Sequence, residues 1–296
     1  MWCGPGSRRA RHGADKLTPP PADGPEQSEA SEVDKVKLGS LEVSRVILGS
    51  NPFSGFAHQT PEAASEMRHY YTVARIKEAM HQAEAAGITT IIARADTHVI
   101  RTLMEYWDEG GLLDWVAQTC PGVGPTEKVA RMAIDGGAKA VFVHGGVMDY
   151  SFANDDFADP LAGIELIRSA GLPVGAAGHN PKVFAWARKN LDLDFYMCSY
   201  YNAAHRDRGA EKVSGMAEWF HDADRAVMAE TIAGLSKPAI HYKVLAAGRN
   251  DPAEALAFAA GAMRPGDAVC VGVFTKHKPD MIAEDVRLFE EAWARR

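Results

Sequence analysis

The chain has 296 residues, 46% hydrophobic and 24% charged, a globular composition that excludes a wholly disordered or collagen-like protein. Its 32 basic and 39 acidic residues give a formal charge of −7, a field that disfavours phosphate backbones, so no nucleic-acid partner is expected. No apolar run reaches the roughly 18 residues of a membrane span, so no membrane partner is expected.

Residues 1–34 hold five of the sixteen prolines and few apolar side chains. Such a segment buries too little surface to offset chain entropy, and a disordered N-terminal tail is predicted. Its start, MWCGPGSRRARHG, is basic but no apolar stretch follows, unlike a secretory signal. The four cysteines, Cys3, Cys120, Cys198 and Cys270, are far apart and form no CxxC pair. A disulfide framework or zinc ribbon is therefore not expected, and a reducing, cytoplasmic location is.

From residue 35 onward, eight short apolar runs alternate with helical periodicity. The runs are VILGS (46–50), TTIIAR (89–94), WVAQTC (115–120), AVFVHG (140–145), PVGAAG (173–178), DFYMCSYY (194–201), AIHYKVL (239–245) and AVCVGVF (268–274). They are continuously apolar, as parallel strands covered on both faces should be. Between them, Val73, Ile76, Met80 and Ala83 fall at helical spacing. So do Ile100, Leu103, Met104 and Trp107, and so do Ile282, Val286, Phe289 and Trp293. Asp159-Pro160, Asn180-Pro181 and Asp251-Pro252 read as N-cap plus first-turn proline. Gly87, Gly137, Gly171 and Gly266 precede strands, where helix C-termini favour positive φ.

Eight βα units in series predict an α/β protein with a (β/α)8 TIM barrel as a single domain over 35–296. A doubly wound sheet is the runner-up, but no GxGxxG follows the first strand. Two connections look long, 51–70 and 202–222, and long loops on the C-terminal face of a barrel carry function.

Chemistry in such a barrel gathers where strands end. The ends supply Asn51, Phe53, Ser54 and His58; Arg94, Asp96, Thr97 and His98; Gln118 and Thr119; and His144. Further round come His179 and Asn180, then Tyr200, Tyr201 and Asn202, then His241, Tyr242, Lys243 and Arg249. The last strand supplies Thr275, Lys276, His277 and Lys278. This polar ring suits a small sugar-like or hydroxy-carbonyl substrate. Against that stands the plain alternative that each is a loop polar group facing water. His69, His81 and His221 lie in or beside helices and are expected to be solvated.

Several of these segments together resemble the aldo/keto reductase superfamily, over roughly residues 37–292. LGSLEVSRVILGS is similar to its opening hairpin and first strand, GITTIIARADT to its second strand ending in Asp-Thr, and AVFVHG to its fourth strand ending in a catalytic His. GHNP, YYN, HYKVLAAGR and GVFTKHKPDMIAEDV resemble its later strand-end motifs. The resemblance implies a barrel with NADP or NAD as cofactor and a carbonyl substrate. It implies catalytic roles for Asp96 and His144, a nicotinamide contact for Asn180 and stacking by Tyr242. It implies a 2′-phosphate site at Thr275, Lys276 and Lys278. Glu284 and Asp285 stand where the family has a Glu-Asn pair for adenine.

The pattern breaks where that family keeps its proton donor. The Tyr position holds Arg101, too basic to act as an acid near neutrality, and the Lys position holds Gln118-Thr119-Cys120. Lys243 is a new catalytic candidate that could activate a phenol, bind phosphate or form a Schiff base; otherwise it snorkels at the rim. Asn51, Arg94, His179 and Tyr200 are the substrate-binding candidates. Asp96, His144 and His179 could instead hold a divalent metal, though no HxH or HExxH spacing supports it.

Three functions are carried forward. The first is an NAD(P)H-linked oxidoreductase with a non-standard proton donor. The second is a non-redox lyase, isomerase or epimerase on a sugar-like carbonyl compound. The third is a catalytically silent binding barrel. Composition and pattern leave the oligomeric state open.

Overall fold

The protein was analysed as a computed structural model that describes residues 33–202, 209 and 218–296. The predicted tail therefore lies, up to residue 32, outside the described residues, as does most of the predicted 202–222 connection. The chain opens with an antiparallel hairpin of β1 (Lys35–Leu38) and β2 (Leu41–Ser44). Then follow β3 (Val46–Gly49), α1 (Pro61–Tyr70), α2 (Val73–Ala85), β4 (Thr90–Arg94), α3 (Thr97–Asp108), β5 (Asp114–Gln118) and α4 (Thr126–Asp135). The second half holds β6 (Ala140–Val143), α5 (Gly145–Asn154), α6 (Ala158–Ser169), β7 (Val174–Gly178), α7 (Pro181–Asn190) and β8 (Phe195–Ser199). It ends with α8 (Asp222–Ala233), β9 (Ala239–Tyr242), α9 (Pro252–Ala262), β10 (Ala268–Gly272) and α10 (Met281–Trp293).

Strands β3 to β10 pair in parallel and close on themselves, β10 against β3 and β9. All eight predicted runs are barrel strands, so the (β/α)8 TIM barrel stands. The residue before each strand end decides what faces the mouth, because side chains alternate. Ile47, Ile92, Val116, Phe142, Ala177, Phe195 and Ile240 fill the barrel interior. Ile91, Trp115, Val141, Tyr196 and Val269 point the other way, into the helical layer. Continuing the inner rows upward puts Arg94, Gln118, His144, His179 and Tyr242 at the C-terminal mouth. Tyr200 and His241 continue the outer rows.

Local signals held with some corrections. Asn180 and Asp251 cap α7 and α9 by accepting from the backbone N–H of Lys182 and Glu254. Asp159 is no cap of its own helix: α6 begins at Ala158, and the Asp159 carboxylate accepts from Thr126 N–H (2.9 Å), capping α4. Gly87, Gly137 and Gly171 take positive φ, whereas Gly266 does not. The buried face of α3 is Val99, Thr102, Leu103 and Tyr106, while Met104 is exposed. The predicted 51–70 loop is instead a short 3-10 turn followed by α1, whose N-cap is Thr60 with Pro61 in the first turn. Among the described residues no helix is long and apolar enough to cross a membrane.

Candidate active site

Three polar assemblies stand at the mouth. The innermost joins β7, β9 and α5. His179 is buried at 6% exposure, and its Nδ1 lies 2.7 Å from Oδ2 of Asp149, itself 5% exposed. The backbone N–H groups of His179 and Asn180 also donate to the Asp149 carboxylate, at 3.1 and 3.2 Å. Three donors on one carboxylate hold it in place and fix the ring. The other imidazole nitrogen, Nε2, is 3.2 Å from the Tyr242 hydroxyl. Asp149, His179 and Tyr242 thus form a carboxylate–imidazole–phenol chain that runs from the core to the mouth. Gly145 makes room for it, since a Cβ there would come within 3.0 Å of the His179 ring.

Asp149 was not among the sequence candidates. The signal available was a lone carboxylate inside an otherwise apolar helix turn, Gly145 to Met148, where burial of an acid demands partners.

The second assembly joins β4 and β5. Asp96 accepts from Val99 N–H (2.9 Å) as the N-cap of α3, and its Oδ2 lies 2.7 Å from Nε of Arg94. Arg94 also donates to the Cys120 thiol at 2.7 Å and lies over the Phe56 ring, 4.9 Å from its centroid. Asp96 is therefore a cap and an arginine partner. Arg101 is exposed on α3. Nearby, His144 caps α5: its Nδ1 accepts from Gly146 N–H (3.0 Å), which places the ring proton on Nε2. Its backbone N–H donates to Thr119 Oγ1 at 2.9 Å.

The third assembly joins the loops after β3 and β9. Asn51, exposed in the 3-10 turn, has its amide nitrogen 3.4 Å from Nε2 of His58. His58 Nδ1 sits 2.9 Å from Oε2 of Glu218, and Lys243 Nζ reaches the same ring at 3.3 Å.

Tyr200 corrects the sequence expectation. It is 1% exposed on the outer barrel face, with its hydroxyl 2.9 Å from Nδ1 of His241, so it cannot meet a substrate at the mouth. His241 Nε2 faces Oδ2 of Asp267 at 3.4 Å. Burial holds the His241 ring below its ordinary pKa and pushes the Tyr200 phenol far up. Asp267 stays well below the usual carboxylate range despite its burial, because His241, Arg264 and the Ala239 N–H bond to it.

The residues expected to hold a nucleotide phosphate are engaged elsewhere. Thr275 is buried, and its hydroxyl and N–H meet the hydroxyls of Tyr70 (3.2 Å) and Tyr71 (3.1 Å). Lys276 Nζ lies 2.6 Å and His277 Nε2 3.0 Å from one oxygen of Glu66 on α1. Lys278 pairs with Glu284. Asn180 uses its side chain as the α7 cap. Asp285, in the adenine position, is buried, and desolvation pushes its pKa up to about 7. As arranged, the cations of this corner are each paired with a carboxylate. Among the described residues no group of three or more His, Cys, Asp or Glu side chains could hold a metal ion.

No family model and no curated protein matches this chain. Solved structures do match its fold. A Pseudomonas aeruginosa protein assigned to the aldo-keto reductases superposes with TM-score 0.60 at 18% identity, covering 90% of this chain and 99% of that one. A truncated 3-deoxy-D-arabino-heptulosonate 7-phosphate synthase from Thermotoga maritima gives 0.52 at 13% identity, covering 89% and 90%. The 3-hexulose-6-phosphate synthase from Salmonella typhimurium gives 0.51 at 12% identity, covering 85% and 99%. The likeness is one of fold, and reductase-assigned and synthase barrels share it.

Proposed function

We propose that this barrel is an enzyme that moves protons on a small polar carbonyl compound, with Tyr242 as the acid and base at the mouth. The observation that carries this is the Asp149–His179–Tyr242 chain. A phenol alone is a weak base at neutral pH. Linked to an imidazole held by a buried carboxylate, it can pass its proton to the ring and recover it, as in the general logic of a base oriented by a third group. His144, with its Nε2 proton, is the candidate to polarise the substrate carbonyl, and Arg94 and Asn51 are candidates for its hydroxyl or acidic groups. The products of such chemistry are those of an isomerase, epimerase or lyase.

The test is solvent exchange. The protein is incubated in deuterated water with hydroxy-aldehydes, hydroxy-ketones and their acids, and loss of the α-proton signal is followed by NMR. Exchange that Tyr242→Phe lowers by about 10²–10⁴ supports the reading. Exchange that is untouched by this substitution removes Tyr242 from the reaction.

A second reading is NADP- or NAD-linked reduction with Tyr242 delivering the proton. The hairpin and strand-end motifs shared with the aldo/keto reductases favour it, and the carboxylate partners of Lys276, His277 and Lys278 count against it. Titration with NADPH and NADH separates the two: binding that Glu66→Ala tightens would favour reduction.

A further inference from the structure

The Lys243–His58–Glu218 assembly is not used by the proton chain, and its backbone is unusual. Lys243 takes φ of 59° and His58 takes φ of 53°, both in the left-handed region that non-glycine residues enter at a cost. Such strain persists only where surrounding contacts over-determine it, and it concentrates at functional sites. Here the contacts are visible. Arg249 donates to the His58 carbonyl (3.0 Å), Gln59 donates to the Ala247 carbonyl (2.5 Å), and Ala246 N–H donates to the Lys243 carbonyl (2.8 Å). The first two bonds stitch the loop after β3 to the loop after β9, and the third closes the turn that follows Lys243. Alternation along β9 would send Lys243 outward beside His241. The left-handed turn brings its amine instead to the His58 ring, at 3.3 Å from Nε2, while Glu218, with a side chain only 3% exposed, holds Nδ1 at 2.9 Å.

An amine, an imidazole within reach of its proton and a buried carboxylate behind the ring are the parts of an activated nucleophile. We infer that Lys243 attacks the carbonyl carbon of the substrate and carries it as a protonated imine, with His58 taking the amine proton and Glu218 positioning His58. The inference rests on the proposed carbonyl chemistry and names its covalent form. The Nζ lone pair forms the C–N bond as the carbonyl π pair moves to oxygen. One amine proton passes to His58. The oxygen is protonated and leaves as water, and the C=N bond that results is cationic. That cation draws the electron pair of a neighbouring C–H or C–C bond toward nitrogen, which is the bond an isomerase or lyase must break.

Dihydroxyacetone with sodium cyanoborohydride is the probe, since hydride from the reagent fixes any imine as a stable amine. Peptide mass mapping of the full chain is expected to place one three-carbon addition predominantly on Lys243. Lys243→Arg should lose it. His58→Gln should slow it by about 10²-fold. Label spread over surface lysines without preference for Lys243 overturns the inference, and so does undiminished labelling of Lys243→Arg. The wild-type map decides even if that variant fails to fold. Labelling at Lys243 without α-proton exchange would keep the imine and sink the Tyr242 proposal. Exchange without labelling would do the reverse.

Discussion

The protein contains the same three side chains twice. Tyr242, His179 and Asp149 form one phenol–imidazole–carboxylate chain, and Tyr200, His241 and Asp267 form the other. The distances are similar, 3.2 and 2.7 Å in the first against 2.9 and 3.4 Å in the second. What differs is the face of the sheet. The first starts from an inner row and ends in a half-buried phenol at the mouth. The second lies on outer rows, sealed beneath α9 with Phe258 edge-on to Tyr200. On the proposed reading, access and not composition or spacing makes the first a catalytic chain. The sealed chain tethers β8, β9 and the turn before β10, because Asp267 also accepts from Ala239 N–H and from Arg264.

If this contrast is right, the two chains should fail in different currencies. Tyr242→Phe should lower α-proton exchange by about 10²–10⁴, or roughly 3–5 kcal/mol, while thermal unfolding moves little. Asp267→Asn should do the opposite. It leaves His241 and Arg264 facing a neutral group in a buried site, a loss of about 3–5 kcal/mol read by urea denaturation. A Tyr242→Phe protein that unfolds early, or an Asp267→Asn protein of unchanged stability, would break the comparison.

Asp285 sharpens it from the side of a buried acid with an unsatisfied oxygen. Its Oδ2 has no hydrogen bond, and burial raises its pKa to about 7. A carboxyl with a raised folded pKa binds its proton more tightly in the native state, so stability falls as pH rises from about 4 toward about 7. Asp285→Asn should flatten that slope and stabilise the protein at pH 7 by about 2 kcal/mol, allowing for relaxation around the site. Denaturation curves at pH 4.5 and 7.5 check this, and an unchanged difference between the two refutes it. The smallest effect is expected for Tyr200→Phe, which removes one buried hydrogen bond to His241 and should cost about 1 kcal/mol with exchange activity intact.

The barrel was legible because each strand is a short apolar run and each helix repeats at its own period. The mouth was partly legible for the same reason: once strands are placed, His144, His179 and Tyr242 fall at their ends. Tyr200 misled because DFYMCSYY is apolar on both faces, and such a run hides its own parity. Lys243 was visible as a residue but not as a neighbour of His58, since its left-handed φ is a conformation that sequence assigns to glycine. The engagement of Lys276 was hidden by α1, whose polar residues read as loop and so concealed Glu66. Asp149 was missed because its partner lies on the next strand's end, a contact that no local pattern encodes.

The N-terminal hairpin has a role that reaches the other end of the molecule. Val36, Leu38 and Val43 pack into the same interior cluster as Ile47, Phe142 and Ile240, so β1 and β2 cork the lower end of the barrel. The molecule is thus a cup and not a tube. On the proposed reading, a substrate beside Tyr242 enters at the end away from this cork, and reactant and product share that entrance.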